Sequence, residues 1–154
     1  MKKVQLEMGG KNPMVVTAKA DLDLAVAACL NGAFFSTGQR CTASSRLIVE
    51  APVHDAFVEK LTAAMTALRI GDPLDAATQI GPVVSESQLA GNLDYVRLAG
   101  DEGCEVIGGQ RLNRPGAFQN PALFLGAAND MRVAREEIFG PCAAVIKAAN
   151  IVPE

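Results

Sequence analysis

The sequence predicts an α/β fold, three layers with helices on both faces of a mostly parallel sheet. Three observations predict it. Short runs of β-forming apolar residues alternate with stretches whose apolar residues recur every three or four positions. Glycine and proline punctuate the junctions. No linker or internal repeat divides the 154 residues, so one domain spans 1–154, long enough to bury a core. Connections between such units are expected to be right-handed.

The elements follow in order. Val4 to Met8 reads as a short strand broken by Gly9-Gly10, and Asn12 to Val16 as a second. Leu22, Ala25, Val26, Cys29, Leu30, Ala33 and Phe34 share one helical face, with Asp21 as N-cap and a stop near Ser36-Thr37-Gly38. Arg46 to Glu50 is the clearest strand. Pro52 suits the first turn of the next helix, which carries Val53, Phe57, Leu61, Met65 and Leu68 on one face and places His54 off it, at the surface. Ser85 to Gln88 has capping-box spacing and opens a third helix through Leu89, Leu93 and Val96, closed by Gly103. Glu105 to Ile107 is a strand, Gln110 to Asn120 a loop and Pro121 to Leu125 a strand. Met131 to Glu136 is a short helix and Ala143 to Ile146 a last strand.

Composition removes several classes of function. Apolar residues make up 49% of the chain and the net charge is −3. Acids and bases are mixed with no basic stripe, which argues against nucleic acid. No apolar run approaches the roughly 18 residues of a membrane span, and the N-terminus does not read as a signal peptide. A cytoplasmic location is expected. The four cysteines form no CxxC pair and His54 is the only histidine, so no metal site is expected. The thiols are expected to be free, with Cys29, Cys104 and Cys142 packed.

Three segments hold chemistry-bearing residues. Cys41 lies in Ser36-Thr37-Gly38-Gln39-Arg40-Cys41-Thr42, a polar stretch after a helix. A thiolate nucleophile needs access, positive charge and free backbone N–H groups, and Arg40 is adjacent. A loop cysteine is nonetheless more often inert than catalytic. Glu7 ends an apolar run before two glycines; it is a general base if held near a site, and a solvated strand end otherwise. Arg135-Glu136-Glu137-Ile138-Phe139-Gly140-Pro141 sets an aromatic at a rigid corner.

Taken together these segments resemble the aldehyde dehydrogenase superfamily. Leu6-Glu7-Met8-Gly9-Gly10-Lys11 is similar to its ELGGK-type box, with Met8 where Leu is commoner. Gly38 to Arg46 resembles its nucleophile box, and Glu136 to Pro141 its EEIFGP box. Gly71-Asp72-Pro73-Leu74 and Ile80-Gly81-Pro82 match between them, so the resemblance runs from Val4 to Ile146. It is nearest to semialdehyde dehydrogenases, such as those acting on 2-oxoglutarate semialdehyde.

The resemblance implies a role for each position. Cys41 attacks the aldehyde carbonyl, passes through a thiohemiacetal and becomes a thioester after hydride leaves to NAD or NADP. Glu7 activates the hydrolysing water. The Cys41 backbone N–H is half of an oxyanion hole. Glu137 holds the nicotinamide ribose, and Phe139 packs near the nicotinamide. Arg40 either pairs with a substrate carboxylate or only tunes its neighbour. The fold is expected to bring Cys41 and Glu7 to opposite sides of one pocket.

Family chains are about three times longer. The expectation is therefore a partial catalytic domain lacking the cofactor-binding domain and the second oxyanion donor, as in a truncated or frameshifted product. Negligible dehydrogenase activity alone and homo-oligomerisation through a bared face are expected with it. Two other readings compete: a non-catalytic remnant that only folds and assembles, and a cofactor-free, thiol-dependent esterase.

Overall fold

A computed structural model describes residues 2–149. Five strands form one sheet: β1 (Pro13–Val16), β2 (Arg46–Glu50), β3 (Glu105–Gly108), β4 (Ala122–Leu125) and β5 (Cys142–Ala148). Their order is β1-β2-β5-β4-β3, parallel except for the antiparallel edge pair β3–β4. The register sets Pro13 opposite Arg46, and Arg46 opposite Ala144. Strands so enclosed on both faces carry near-continuous apolar sequence, and Cys142 to Val145 is fully buried.

One face is covered by α1 (Leu22–Cys29) and α2 (Ala51–Thr66). Cys29, Phe34, Phe57 and Leu61 pack there against Leu47, Val49 and Val145. The other face carries α3 (Glu86–Asp101) and the short α4 (Arg132–Arg135). Ala99, Val133, Ala134 and Ile138 meet Phe124, Cys142 and Ala144. The layers are those expected. Asp21 caps α1 by accepting from the N–H of Asp23 and Leu24. Pro52 lies in the first turn of α2.

Three expectations are corrected. Val4 to Met8 forms no strand: Val4, Leu6 and Met8 are 76%, 72% and 76% exposed, and alternation without a neighbouring strand leaves the backbone nothing to pair with. His54 is half-buried rather than freely exposed: its side chain retains 14% exposure while its ring nitrogen meets Asp55 at 2.6 Å. The capping box of α3 is half made. Ser85 accepts from Gln88 N–H at 3.1 Å, whereas the Gln88 side chain turns inward to other partners.

Candidate active site

The helical run that begins at Leu22 changes pitch. After α1 a single π turn covers Leu30–Phe34, and a tight turn covers Phe35–Gly38. Ser36, Thr37 and Gly38 then take left-handed backbone in succession, at φ 56°, 58° and 65°. For two non-glycine residues this costs on the order of 1 kcal/mol each, and tertiary contacts hold them there. Thr37 is buried and its hydroxyl donates to Gly81 O at 3.2 Å. The Gln39 side-chain oxygen accepts from Val84 N–H at 2.8 Å. The match noted at Ile80-Gly81-Pro82 is thus the shelf on which the thiol-bearing loop rests.

Cys41 follows in a β-turn closed by Ala43 N–H donating to Arg40 O at 2.9 Å. Its side chain is exposed. The guanidinium of Arg40 donates backward to the carbonyls of Asn31 and, at 3.3 Å, Gly32. Those carbonyls belong to the π turn, so Arg40 ties the loop to the helix before it. From the other side the Asn12 amide donates to Cys41 O at 2.7 Å.

Beside this loop runs Glu136 to Pro141. Glu136 accepts from Arg132 at 2.8 and 3.0 Å and from the Tyr95 hydroxyl at 2.7 Å. The bonds from Arg132 and Tyr95 hold its carboxyl at about 2, well below the usual range. Glu137 is exposed, with its carboxylate against Gly9. Phe139 has φ 57° and is 40% exposed. Below them lies a buried amide ladder. Gln88 donates to Ile138 O and to Asn92, and Asn92 donates to Gln119 at 3.0 Å. Gln119 in turn donates to Gly109 O at 3.3 Å.

The three sequence boxes therefore meet. Gly10, Gly38, Arg40, Glu137 and Phe139 line one cavity of about 10 Å³, room for at most a single water. Neither Cys41 nor Glu7 lines it. Both are exposed. Positive charge collects beneath: Lys11 Nζ, Arg40 Nε and Arg46 Nε are buried without a hydrogen-bond partner. Burial pulls the Lys11 ammonium down to about 8, partly offset by Cys142, Glu137 and Glu136.

The other thiols are packed, as expected. Burial pushes Cys29 and Cys142 up to about 12 and raises Cys104. For a dinucleotide the donor set is partial. An exposed carboxylate at Glu137 and an exposed ring at Phe139 suit a ribose diol and a planar heterocycle. Among the described residues no strand-to-helix junction has the glycine-rich turn that cradles phosphates. Reading the sequence singled out Cys41, Arg40, Glu7, Glu137 and Phe139, but missed Asn12, Thr37, Gln39 and the ladder of Gln88, Asn92 and Gln119. The one available signal for the ladder was a polar residue recurring at i and i+4 on a helix, Gln88 and Asn92.

Residues 1–152 match the model of the aldehyde dehydrogenase family. The chain is 44% identical over 155 residues to alpha-ketoglutaric semialdehyde dehydrogenase of Bacillus subtilis, covering 97% of this chain and 32% of that protein. It is 42% identical over 152 residues to succinate-semialdehyde dehydrogenase (NADP(+)) 1 of Mycobacterium tuberculosis, covering 98% and 33%. Among solved structures it is similar to HpcC of Thermus thermophilus, with TM-score 0.89, 38% identity and coverage of 92% and 29%. It is also similar to betaine aldehyde dehydrogenase of Staphylococcus aureus in complex with NAD+, with TM-score 0.90, 35% identity and coverage of 92% and 29%. The chain thus spans about a third of the length of the proteins it matches.

Proposed function

Because the chain belongs to the aldehyde dehydrogenase family, we propose that it carries the thiol-bearing part of an NAD(P)-dependent oxidation of an aldehyde to a carboxylic acid. The observation that supports this reading is the convergence of the three boxes. Gly10, Gly38, Arg40, Glu137 and Phe139 line one cleft although they come from three separate stretches of chain.

In this reading Cys41 Sγ, as thiolate, adds to the aldehyde carbon and gives a tetrahedral thiohemiacetal oxyanion. Its own backbone N–H is the proposed donor to that oxygen. Glu137 and Phe139 would hold the nicotinamide ribose and ring, and a bound nicotinamide would supply the acceptor for the hydride lost by the former aldehyde carbon. Carbon and sulfur are then joined as a thioester. Glu7 takes a proton from water, the hydroxyl adds to the thioester carbon, and the acid leaves with Cys41 again a thiolate. Glu7 is exposed, on a segment without regular structure. Two of Arg40's contacts are backbone carbonyls, and these favour its role as a tether for the loop over that of a carboxylate receptor. A semialdehyde substrate is proposed from the relatives' names. The exposed apolar residues Val4, Leu6, Met8 and Val15 support self-association, which light scattering against concentration checks.

The experiment is acylation of the chain by p-nitrophenyl acetate, followed by intact mass. The expected result is one acetyl adduct, lost in Cys41→Ser and persisting longer in Glu7→Gln. An adduct that forms equally in Cys41→Ser overturns the reading. With a semialdehyde and either NAD or NADP, followed at the absorbance of the reduced nucleotide, the chain alone is expected to show negligible turnover, because no described strand-to-helix junction cradles phosphates; robust turnover would overturn that expectation. This acylation also reports on the cofactor-free esterase.

A further inference from the structure

We infer that Asn12 is a positioning residue for the thiol: its amide pins the central peptide of the turn that carries Cys41, and so sets which way the backbone dipole beside the sulfur points. The inference rests on the reading of Cys41 as the nucleophile.

The turn runs from Arg40 to Ala43, closed by the Ala43 N–H to Arg40 O bond. Cys41 and Thr42 are its two central residues, and the peptide joining them is the one that inverts between the two common turn types. A trans peptide is planar, so its C=O and N–H point in opposite directions. Turning that plane over exchanges the directions of the Cys41 carbonyl oxygen and the Thr42 amide hydrogen. Neither Cys41 nor Thr42 has a positive φ, so the turn sits in the form without left-handed backbone.

Asn12 holds it in that form from a fixed point. Its own carbonyl accepts from Arg46 N–H at 3.2 Å, at the first rung of the β1–β2 ladder. Its side chain, with two torsions, donates to Cys41 O at 2.7 Å. The sheet thereby reaches the carbonyl of the thiol residue through one amide. Arg40 holds the preceding residue through the carbonyls of Asn31 and Gly32, which leaves the 41–42 peptide as the free joint of the turn. With the Cys41 carbonyl drawn to Asn12, the Thr42 N–H of the same planar peptide points the opposite way, and only inversion of the turn would exchange the two.

The test is the second-order rate of Cys41 alkylation by iodoacetamide in the full chain near neutral pH, with Cys41→Ser as blank and the melting temperature alongside. Asn12→Ala and the isosteric Asn12→Asp, which cannot donate, are both expected to slow alkylation about fivefold, with little change in melting. Asn12→His, which keeps a ring N–H near the lost donor, is expected to recover most of the rate. Asn12→Ala and Asn12→Asp reacting at the wild-type rate overturns the inference. So does a loss that tracks melting temperature equally in all three variants. Should the Asn12 variants fail to fold, Thr42→Gly with Asn12 intact is the second arm: it permits the inverted turn, and near wild-type reactivity is expected because Asn12 still pins the peptide. A fall in rate there overturns the inference. Alkylation needs no aldehyde or ester. An Asn12-dependent rate in a chain that p-nitrophenyl acetate never acylates would therefore leave the clamp standing and the dehydrogenase reading fallen; the opposite pair of results does the reverse.

Discussion

Gly38 and Gly140 meet backbone to backbone. A Cβ on Gly38 would lie 2.6 Å from the Gly140 carbonyl carbon and 2.9 Å from Ala33 O, and closer still to Gly140 O. Gly38 also holds φ 65°, in the region that side chains avoid. The loop that ends in Cys41 and the loop that carries Glu137 and Phe139 therefore approach this closely only because Gly38 has no side chain at the crossing.

Gly38→Ala is expected to destabilise the chain by more than about 2 kcal/mol, from left-handed strain and a backbone clash together. Gly91→Ala is the contrast. Gly91 lies inside α3 with open space where a Cβ would go, so the same substitution is expected to stabilise by about 0.5–1 kcal/mol. Urea unfolding of both variants checks the opposite signs.

A second prediction concerns the ladder under the Ile138–Gly140 loop. Asn92 is fully buried, donates to Gln119 and accepts from Gln88. Its amide also stands where a Cβ on Gly140 would go, 2.6 Å from Asn92 Oδ1. Asn92→Leu keeps the volume but leaves the buried Gln119 side-chain oxygen without the donor it has from Asn92, at a cost of about 1–3 kcal/mol. Tryptic cleavage at Arg135, next to the loaded loop, should then quicken in native conditions. Unchanged stability would mean that the ladder is dispensable.

The layers and nearly every element were legible because they rest on periodicity, which one sequence displays. Leu47 and Val49 alternate with Ile48 in β2, and Phe57, Leu61 and Met65 repeat at four in α2. The strand expected at Val4–Met8 failed because alternation specifies a face and not a partner. The site was legible in part. Cys41, Glu137 and Phe139 stand in motifs, but Asn12 and Gln119 act only through neighbours distant in sequence, such as Cys41 for the first and Asn92 for the second. No local pattern announces such a bond. His54 misled for a related reason: its position off the apolar face of α2 says nothing of the Asp55 carboxylate that its ring nitrogen meets, which also pairs with Lys147.

Thiol reactivity should divide sharply. Cys29 and Cys142 are fully buried, Cys104 is 7% exposed and Cys41 is exposed. Burial raises the first three toward inert thiols. Brief treatment of the native chain with iodoacetamide is expected to give a single adduct, located at Cys41 by peptide mapping, with the other three appearing only on unfolding. Rapid native labelling at Cys142 would contradict the packing of β5.

Stability should also respond to pH through Lys11. Its ammonium falls from an ordinary 10.5 to about 8 in the folded chain, chiefly by burial. Below pH 8 both states hold the proton and the full cost of the buried charge is present. Between pH 8 and 10.5 the folded chain releases a proton that the unfolded chain keeps, so this group's contribution to stability rises with pH. The span is worth up to about 3 kcal/mol. Cys29 and Cys142 act in the opposite direction above their ordinary 9.0, because unfolding frees thiols that burial holds to about 12, so the wild-type curve alone would blur the effect. Lys11→Met keeps the stem, removes the charge and leaves both thiols in place. Its melting temperature is expected to exceed that of the wild type at pH 7, with the gap closing by pH 10. A gap that is absent at pH 7, or that widens with pH, would show that the Lys11 ammonium is satisfied in the folded chain and that the charge beneath the Cys41 loop carries no cost.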